Sequence, residues 1–167
     1  MLLQRIYRAF TQDEVGSALV EFSASATLLM VVMFGLMETA RAFYVANFVS
    51  NAAPEAIRYA TVRGSTWNGK ACASIQTNQC TATAANVASY LQSLAPQGVS
   101  TSPTYLTIAT TWPGTTPKGA SCSSVGVKNA PGCIVQVRVQ YSFSFLFPFL
   151  PQQPLLLSTN SAMVISQ

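Results

Sequence analysis

The sequence has no histidine. Its five acidic residues, Asp13, Glu14, Glu21, Glu38 and Glu55, are confined to the first 55 positions. Residues 56–167 therefore offer neither a carboxylate side chain nor an imidazole, and general acid–base catalysis has almost no candidate group there. An enzyme is not expected. The four cysteines form no C-x-x-C pair, and no histidine is available to complete a zinc site, so neither a metal nor another cofactor is expected. There is no nucleotide-binding loop. Charge of either sign is scarce: 8% of residues are charged, against roughly 25% in ordinary soluble domains. The basic residues of the second part, Arg58, Arg63, Lys70, Lys118, Lys128 and Arg138, are scattered. They form no run and no interleaving with aromatics, which reads as solubilising charge. Nucleic acid is not expected as a partner.

The cysteines that are present, Cys72, Cys80, Cys122 and Cys133, all follow the long apolar segment. An even number in a loop-rich, weakly charged region suggests disulfides and an oxidising compartment. Four cysteines allow three connectivities. Cys72–Cys80 with Cys122–Cys133 is favoured because each bond closes a short local loop. With no base at hand to make a thiolate, a catalytic cysteine is not expected.

Residues 22–37, FSASATLLMVVMFGLM, carry no charge. As a helix they rise ~24 Å, short of the ~30 Å hydrocarbon core of a bilayer. Extension back to Val15 gives a segment able to span, but Glu21 then lies inside it. A secretory signal peptide would need a small-residue cleavage site after the apolar run. The following GLMETARAFYVANFVS instead continues as helix. Ala42, Val45, Val49, Ala52, Ala56 and Tyr59 recur at spacings of three and four, one stripe on a helix, with Asn47, Ser50 and Asn51 off it. Pro54 is expected to kink or restart the helix near residue 53, and Gly64 to stop it. The pattern predicts one helix over about 17–63, membrane-spanning over 17–40 and amphipathic over 41–64.

The remainder, 65–167, reads as an α+β domain. Residues 65–84 are small and polar, a loop. AANVASYLQSLA (84–95) puts Val87, Leu91 and Leu94 on one helical face, ended by Pro96 and Gly98. TYLTIATTW (104–112) has strand composition. Residues 113–133 read as a long connection. In IVQVRVQYSFSFLF (134–147), Val135, Val137, Val139, Tyr141, Phe143 and Phe145 alternate with Gln136, Arg138, Gln140, Ser142 and Ser144, the signature of a half-buried strand. PFLPQQP breaks it, and LLLSTNSAMVIS (155–166) is a last strand. Three strands make an antiparallel sheet with one apolar face, which the amphipathic half of the long helix is suited to cover.

Gly16, Ser17, then Glu21 and Phe22 ahead of an apolar helix resemble the processing site of type IV pilin-like precursors. Gly35, Glu38, Arg41 and SNAAPEAIRYA (50–60) sharpen the likeness. The segment resembles the opening of TadE-like pilus assembly proteins of tight-adherence (Tad, or Flp) pilus systems. VQVRVQYSFSFLFPFLPQQPLLLSTNSAMV resembles the family's closing strand, proline turn and strand. The likeness is strong over 16–64 and weaker between 65 and 130. Pro54 departs from it, where a helix-friendly residue is expected.

The resemblance implies a minor pilin or pseudopilin with a pilin-like fold. Residues 1–16 would be a leader removed by a prepilin peptidase that cuts between Gly16 and Ser17. Other partners would be the pilins or pseudopilins of the same system, the inner-membrane pilus platform and the lipid bilayer. A role in adherence and biofilm formation is also implied. A glycine before the cut lets a backbone approach a protease without a side chain in the way. The cut would free the α-amino group of Ser17, one helical turn (~6 Å) from Glu21. A lone charge in lipid costs about 2.5–3.5 kcal/mol on insertion scales, and pairing with that amine, or with a neighbouring subunit's, offsets it. The alternative is a Glu21 that reaches the membrane interface with no partner. Glu38 and Arg41, at i and i+3, read as an ion pair marking the exit from lipid, or as a contact with another subunit. Phe43, Tyr44 and Phe48 suit an interface or helix packing.

Arg5 and Arg8 precede the span and Arg41, Arg58 and Arg63 follow it, so the positive-inside rule does not set the orientation. The cysteines and the resemblance favour a bacterial inner-membrane protein with a cytoplasmic N-terminus and a periplasmic C-terminal domain. A second function class stays open at this point: a single-span protein whose outer domain binds a ligand or surface, with no pilus role.

Overall fold

The structure, a computed structural model, describes residues 14–67, 70–72, 80–122, 127–147 and 150–166. Most of the expected leader, including Arg5 and Arg8, lies outside the described residues. The fold is α+β: a long N-terminal apolar helix and a small antiparallel three-stranded sheet. The chain divides into two units, Met1–Arg41 and Ala42–Gln167.

Helix α1 runs from Glu14 to Thr61, so it begins before Gly16 and ends before the expected stop. Within the first unit many large apolar side chains face outward: Leu19, Phe22, Leu28 and Leu36 are each more than half exposed, while Phe34 is partly covered. Such a surface is unfavourable in water and at home in lipid. The helix is long and apolar enough to cross a membrane.

In the second unit the same helix changes character. Val45, Val49, Ala52, Ala53, Ala56, Ile57 and Ala60 are buried, while Asn47, Ser50 and Asn51 are exposed. The stripe is wider than the 3–4 spacing implies. It takes in Ile57, whereas Tyr59 is only partly covered. The Tyr59 ring instead stacks on Tyr90, centroids 4.3 Å apart, and the Arg63 guanidinium lies 3.9 Å from the Tyr59 centroid. Pro54 neither stops nor restarts the helix, which is continuous through it. A proline removes the bond to the carbonyl four residues earlier, here Ser50. Ser50 and Pro54 are both exposed, so water can serve that carbonyl. Buried alanines and Ile57 on either side hold the axis in place.

Residues expected to be loop contain a small hairpin, β1 (Thr66–Trp67) paired with β2 (Lys70–Ala71). Helix α2 (Ala84–Ser93) starts on a capping box, in which the Asn86 N–H donates to Thr83 Oγ1 and the Thr83 N–H donates to Asn86 Oδ1. Its buried residues are Val87 and Leu91, one turn apart.

The main sheet comprises β3 (Leu106–Thr111), β4 (Ile134–Phe143) and β5 (Leu155–Val164), in spatial order β3-β4-β5, all antiparallel. Val139 of β4 pairs with Ile108 on one side and Thr159 on the other. The alternation in β4 is realised. Val135, Val137, Val139, Tyr141 and Phe143 are buried, and Gln136 and Arg138 are exposed. One core joins the buried stripe of α1, Val87 and Leu91 of α2, and the inner face of the sheet. The long connection before β4 carries one isolated bridge, Thr115 with Ser121. It closes on Gly132, whose φ of +86° suits glycine. Disulfides link Cys72 to Cys80 and Cys122 to Cys133, and Cys133 is fully buried beside β4.

Candidate functional site

Gly16 and Ser17 lie two to three residues inside the start of α1. A glycine inside a helix is up to about 1 kcal/mol less favourable than alanine, so its presence calls for a local reason. The fold supplies none: a Cβ placed on Gly16 would meet no atom within 4 Å. The same is true of Gly35, whose carbonyl accepts from the Thr39 hydroxyl at 2.8 Å. Neither glycine is required by packing against the described residues. Both leave a bare strip of backbone that another molecule can approach closely.

Glu21 is exposed on α1 four residues after Ser17. The ion pairs among the described residues are Glu38–Arg41 and Glu55–Arg58, and Glu21 is in neither. Phe22, beside it, is 72% exposed. The helix thus presents the Glu21 carboxylate and the Phe22 ring outward within its first turns. From Phe22 to Met37 there is no further charge.

Glu38 and Arg41 stand at the other end of that uncharged run. Both carboxylate oxygens of Glu38 accept from Arg41 Nη1, at 2.6 and 2.9 Å. The i, i+3 spacing places the two side chains on one helix face. Glu38 is 1% exposed, while the Arg41 side chain keeps 41% of its surface in solvent. A buried carboxylate is tolerable when its charge is met by a cation and its lone pairs by hydrogen bonds, and Arg41 provides both. Burial of Glu38 is not apparent from the sequence, because the local pattern predicts only the pairing. Phe43 is 72% exposed, Phe48 packs partly against the core, and the Tyr44 hydroxyl reaches the Gln97 carbonyl at 3.5 Å.

Gly16, Ser17, Glu21 and Phe22 therefore cluster near the N-terminal end of one exposed apolar helix, with Glu38 and Arg41 closing its uncharged stretch. The disulfides Cys72–Cys80 and Cys122–Cys133 belong to the second unit and serve its stability. Residues 16–58 match the family model described as TadE-like protein. Over that stretch the chain is similar to TadE-like proteins. The TadE-like match opens on Gly16 and includes Ser17, Glu21, Phe22, Glu38 and Arg41; it ends before Gly64 and leaves residues 59–167 unmatched. No curated protein and no solved structure matches the chain. The TadE-like segment coincides with the helix that is suited to single-pass membrane anchoring.

Proposed function

We propose that this protein is a non-enzymatic minor pilin or pseudopilin of Tad (Flp) pilus assembly, matured by a prepilin peptidase that cuts between Gly16 and Ser17. The observation that carries the reading is Glu21. It is a carboxylate near the head of an exposed, lipid-compatible helix, in no ion pair among the described residues and with a glycine five residues before it. A cut after Gly16 creates a cation one turn away, at the α-amino group of Ser17. Pairing of that amine with Glu21, in the same chain or the next, lowers the cost of placing the acid in lipid. Between subunits, the same pairing sets the register in which helices pack.

In this reading the chain sits in the bacterial inner membrane with its N-terminus cytoplasmic and residues 65–167 periplasmic, where Cys72–Cys80 and Cys122–Cys133 are kept oxidised. Its partners are the prepilin peptidase, the other pilins of the system and the inner-membrane platform. A cytoplasmic ATPase supplies the energy of assembly. Pilus-dependent adherence and biofilm formation follow from assembly.

The test is the N-terminal sequence and intact mass of the protein isolated from cells with an active prepilin peptidase, compared with cells lacking it. A mature chain starting at Ser17, formed only when the peptidase is present, is the expected result. An intact Met1 in both strains overturns the proposal in favour of a plain membrane anchor.

A further inference from the structure

Strand β5 is an edge strand ten residues long, LLLSTNSAMV, with no proline, no charge and an unbroken register against β4. Edge strands are ordinarily protected by charge, proline, bulges or a covering segment, because their free N–H and C=O groups template pairing with another chain. Along β5 none of these devices is present among the described residues. The protection stops at Ser166, just beyond the strand, whose N–H and hydroxyl both donate to the Thr61 carbonyl at the end of α1, at 3.0 and 3.1 Å.

The direction of the free groups follows from two bonds. The Ile165 N–H donates to the Cys133 carbonyl beside β4, whereas the Ser166 N–H points the other way, to Thr61. Backbone groups alternate along an antiparallel strand. Leu156, Ser158, Asn160, Ala162 and Val164 therefore aim theirs at the open edge. Their side chains lie on the face away from the core, and all five are exposed. On the inner face Leu155 and Met163 also keep 44% and 46% of their surface, so the core does not cover the strand's ends.

We infer that β5 pairs antiparallel with β5 of a second copy of this chain, about a two-fold axis through Asn160, joining two three-stranded sheets into one of six strands. The occupant is identified by the strand's own sequence. A two-fold perpendicular to a sheet keeps each residue on its own face, so residue pairs must share a face. Centred on Asn160, Leu156 meets Val164, Ser158 meets Ala162 and Asn160 meets itself on the outer face. On the inner face Leu157 meets Met163 and Thr159 meets Ser161. Apolar ends meet apolar ends on both faces, and the hydroxyl and amide side chains gather at the centre. Cross-strand pairs of this kind are the unit of sheet stabilisation. A strand that pairs with its own copy brings like charges together near the axis, and β5 carries none. The contact is isologous and closes as a dimer. It lies wholly within residues 155–164 and does not depend on the pilus assignment.

The test uses the full chain in detergent micelles. Asn160→Cys places one thiol from each copy at the axis, in a pair whose Cα separation of about 5.5 Å falls within disulfide range. The expected product under mild oxidation is a reductant-reversible homodimer, in severalfold excess over Thr107→Cys, an exposed position on β3. Ser158→Pro removes an outward N–H without touching the ladder to β4, and should shift the sedimenting species from dimer to monomer while both native disulfides stay intact. The inference is overturned if Asn160→Cys gives no more dimer than Thr107→Cys, or if the unmodified chain sediments as a monomer. It also fails if Ser158→Pro leaves a dimer unchanged, which would assign association to the apolar helix. An Asn160→Cys adduct in cells with a different protein, in place of the homodimer, overturns it too. Should Asn160→Cys not fold, the sedimentation of the unmodified and Ser158→Pro chains decides.

Discussion

Arg41 donates from a single Nη1 to both oxygens of Glu38, one helical turn away, and the acid it neutralises is almost wholly buried. The two residues are unequal in surroundings, so their removal is unequal in consequence. Arg41→Ala strands a buried carboxylate, and leaving a buried polar group unpaired costs about 1–3 kcal/mol, more when it is charged. Glu38→Gln leaves behind a half-exposed guanidinium that water can solvate. Thermal unfolding in detergent should show the larger loss for Arg41→Ala. A double change, Glu38→Leu with Arg41→Leu, should recover part of it, because no charge is then buried.

Gly16→Val separates the fold from the processing. Nothing lies within 4 Å of the added Cβ position, so the second unit should unfold at an unchanged temperature. A side chain at the residue before the cut should block cleavage, leaving the full-length mass in cells with an active peptidase. Intact-mass spectrometry reads the second outcome and circular dichroism the first.

Glu21→Gln should likewise leave stability within about 0.5 kcal/mol, as expected for an exposed position outside the ion pairs of the described residues. Pilus number, counted by electron microscopy, should nevertheless fall sharply. Glu55→Gln is the control: Glu55 lies 3.8 Å from Arg58 in an exposed pair, and such pairs contribute little. Equal pilus numbers in the two variants would remove the role assigned to Glu21.

The disulfides should differ in their effect. Loop-closure entropy alone assigns each bond about 2.5–3 kcal/mol, since their sequence separations, 8 and 11, are similar. Cys133, however, is fully buried in the core beside β4. Replacement of Cys122 and Cys133 by serine adds a buried hydroxyl to the lost constraint. Denaturant unfolding should therefore show a larger loss for that pair than for Cys72 and Cys80.

The buried stripe of α1 is made largely of alanine. Ala56→Leu should destabilise the second unit by about 1–3 kcal/mol through overpacking, and Ile57→Ala by about 2–5 kcal/mol through a cavity. Chemical denaturation checks both. Opposite changes in side-chain volume with the same sign of effect would establish that the helix lies in a close-packed core.

The sequence by itself determined the elements whose patterns are local. An uncharged run has one favourable environment, so the apolar helix was legible from residues 22–37. Strict alternation defines a one-sided strand, so the inward set from Val135 to Phe143 was legible too, and the spacing of Gly16, Ser17, Glu21 and Phe22 marked the candidate site. Tertiary structure decided what depends on distant residues. The 3–4 spacing located the stripe but missed Ile57 and overrated Tyr59, because Tyr90 of α2 captures that ring. Pro54 read locally as a break, yet packing on both sides carries the helix through. Strand order and register, which leave β5 at an edge, are likewise absent from any local window. They are set by which long-range contacts compensate the entropy of closing the loops between them.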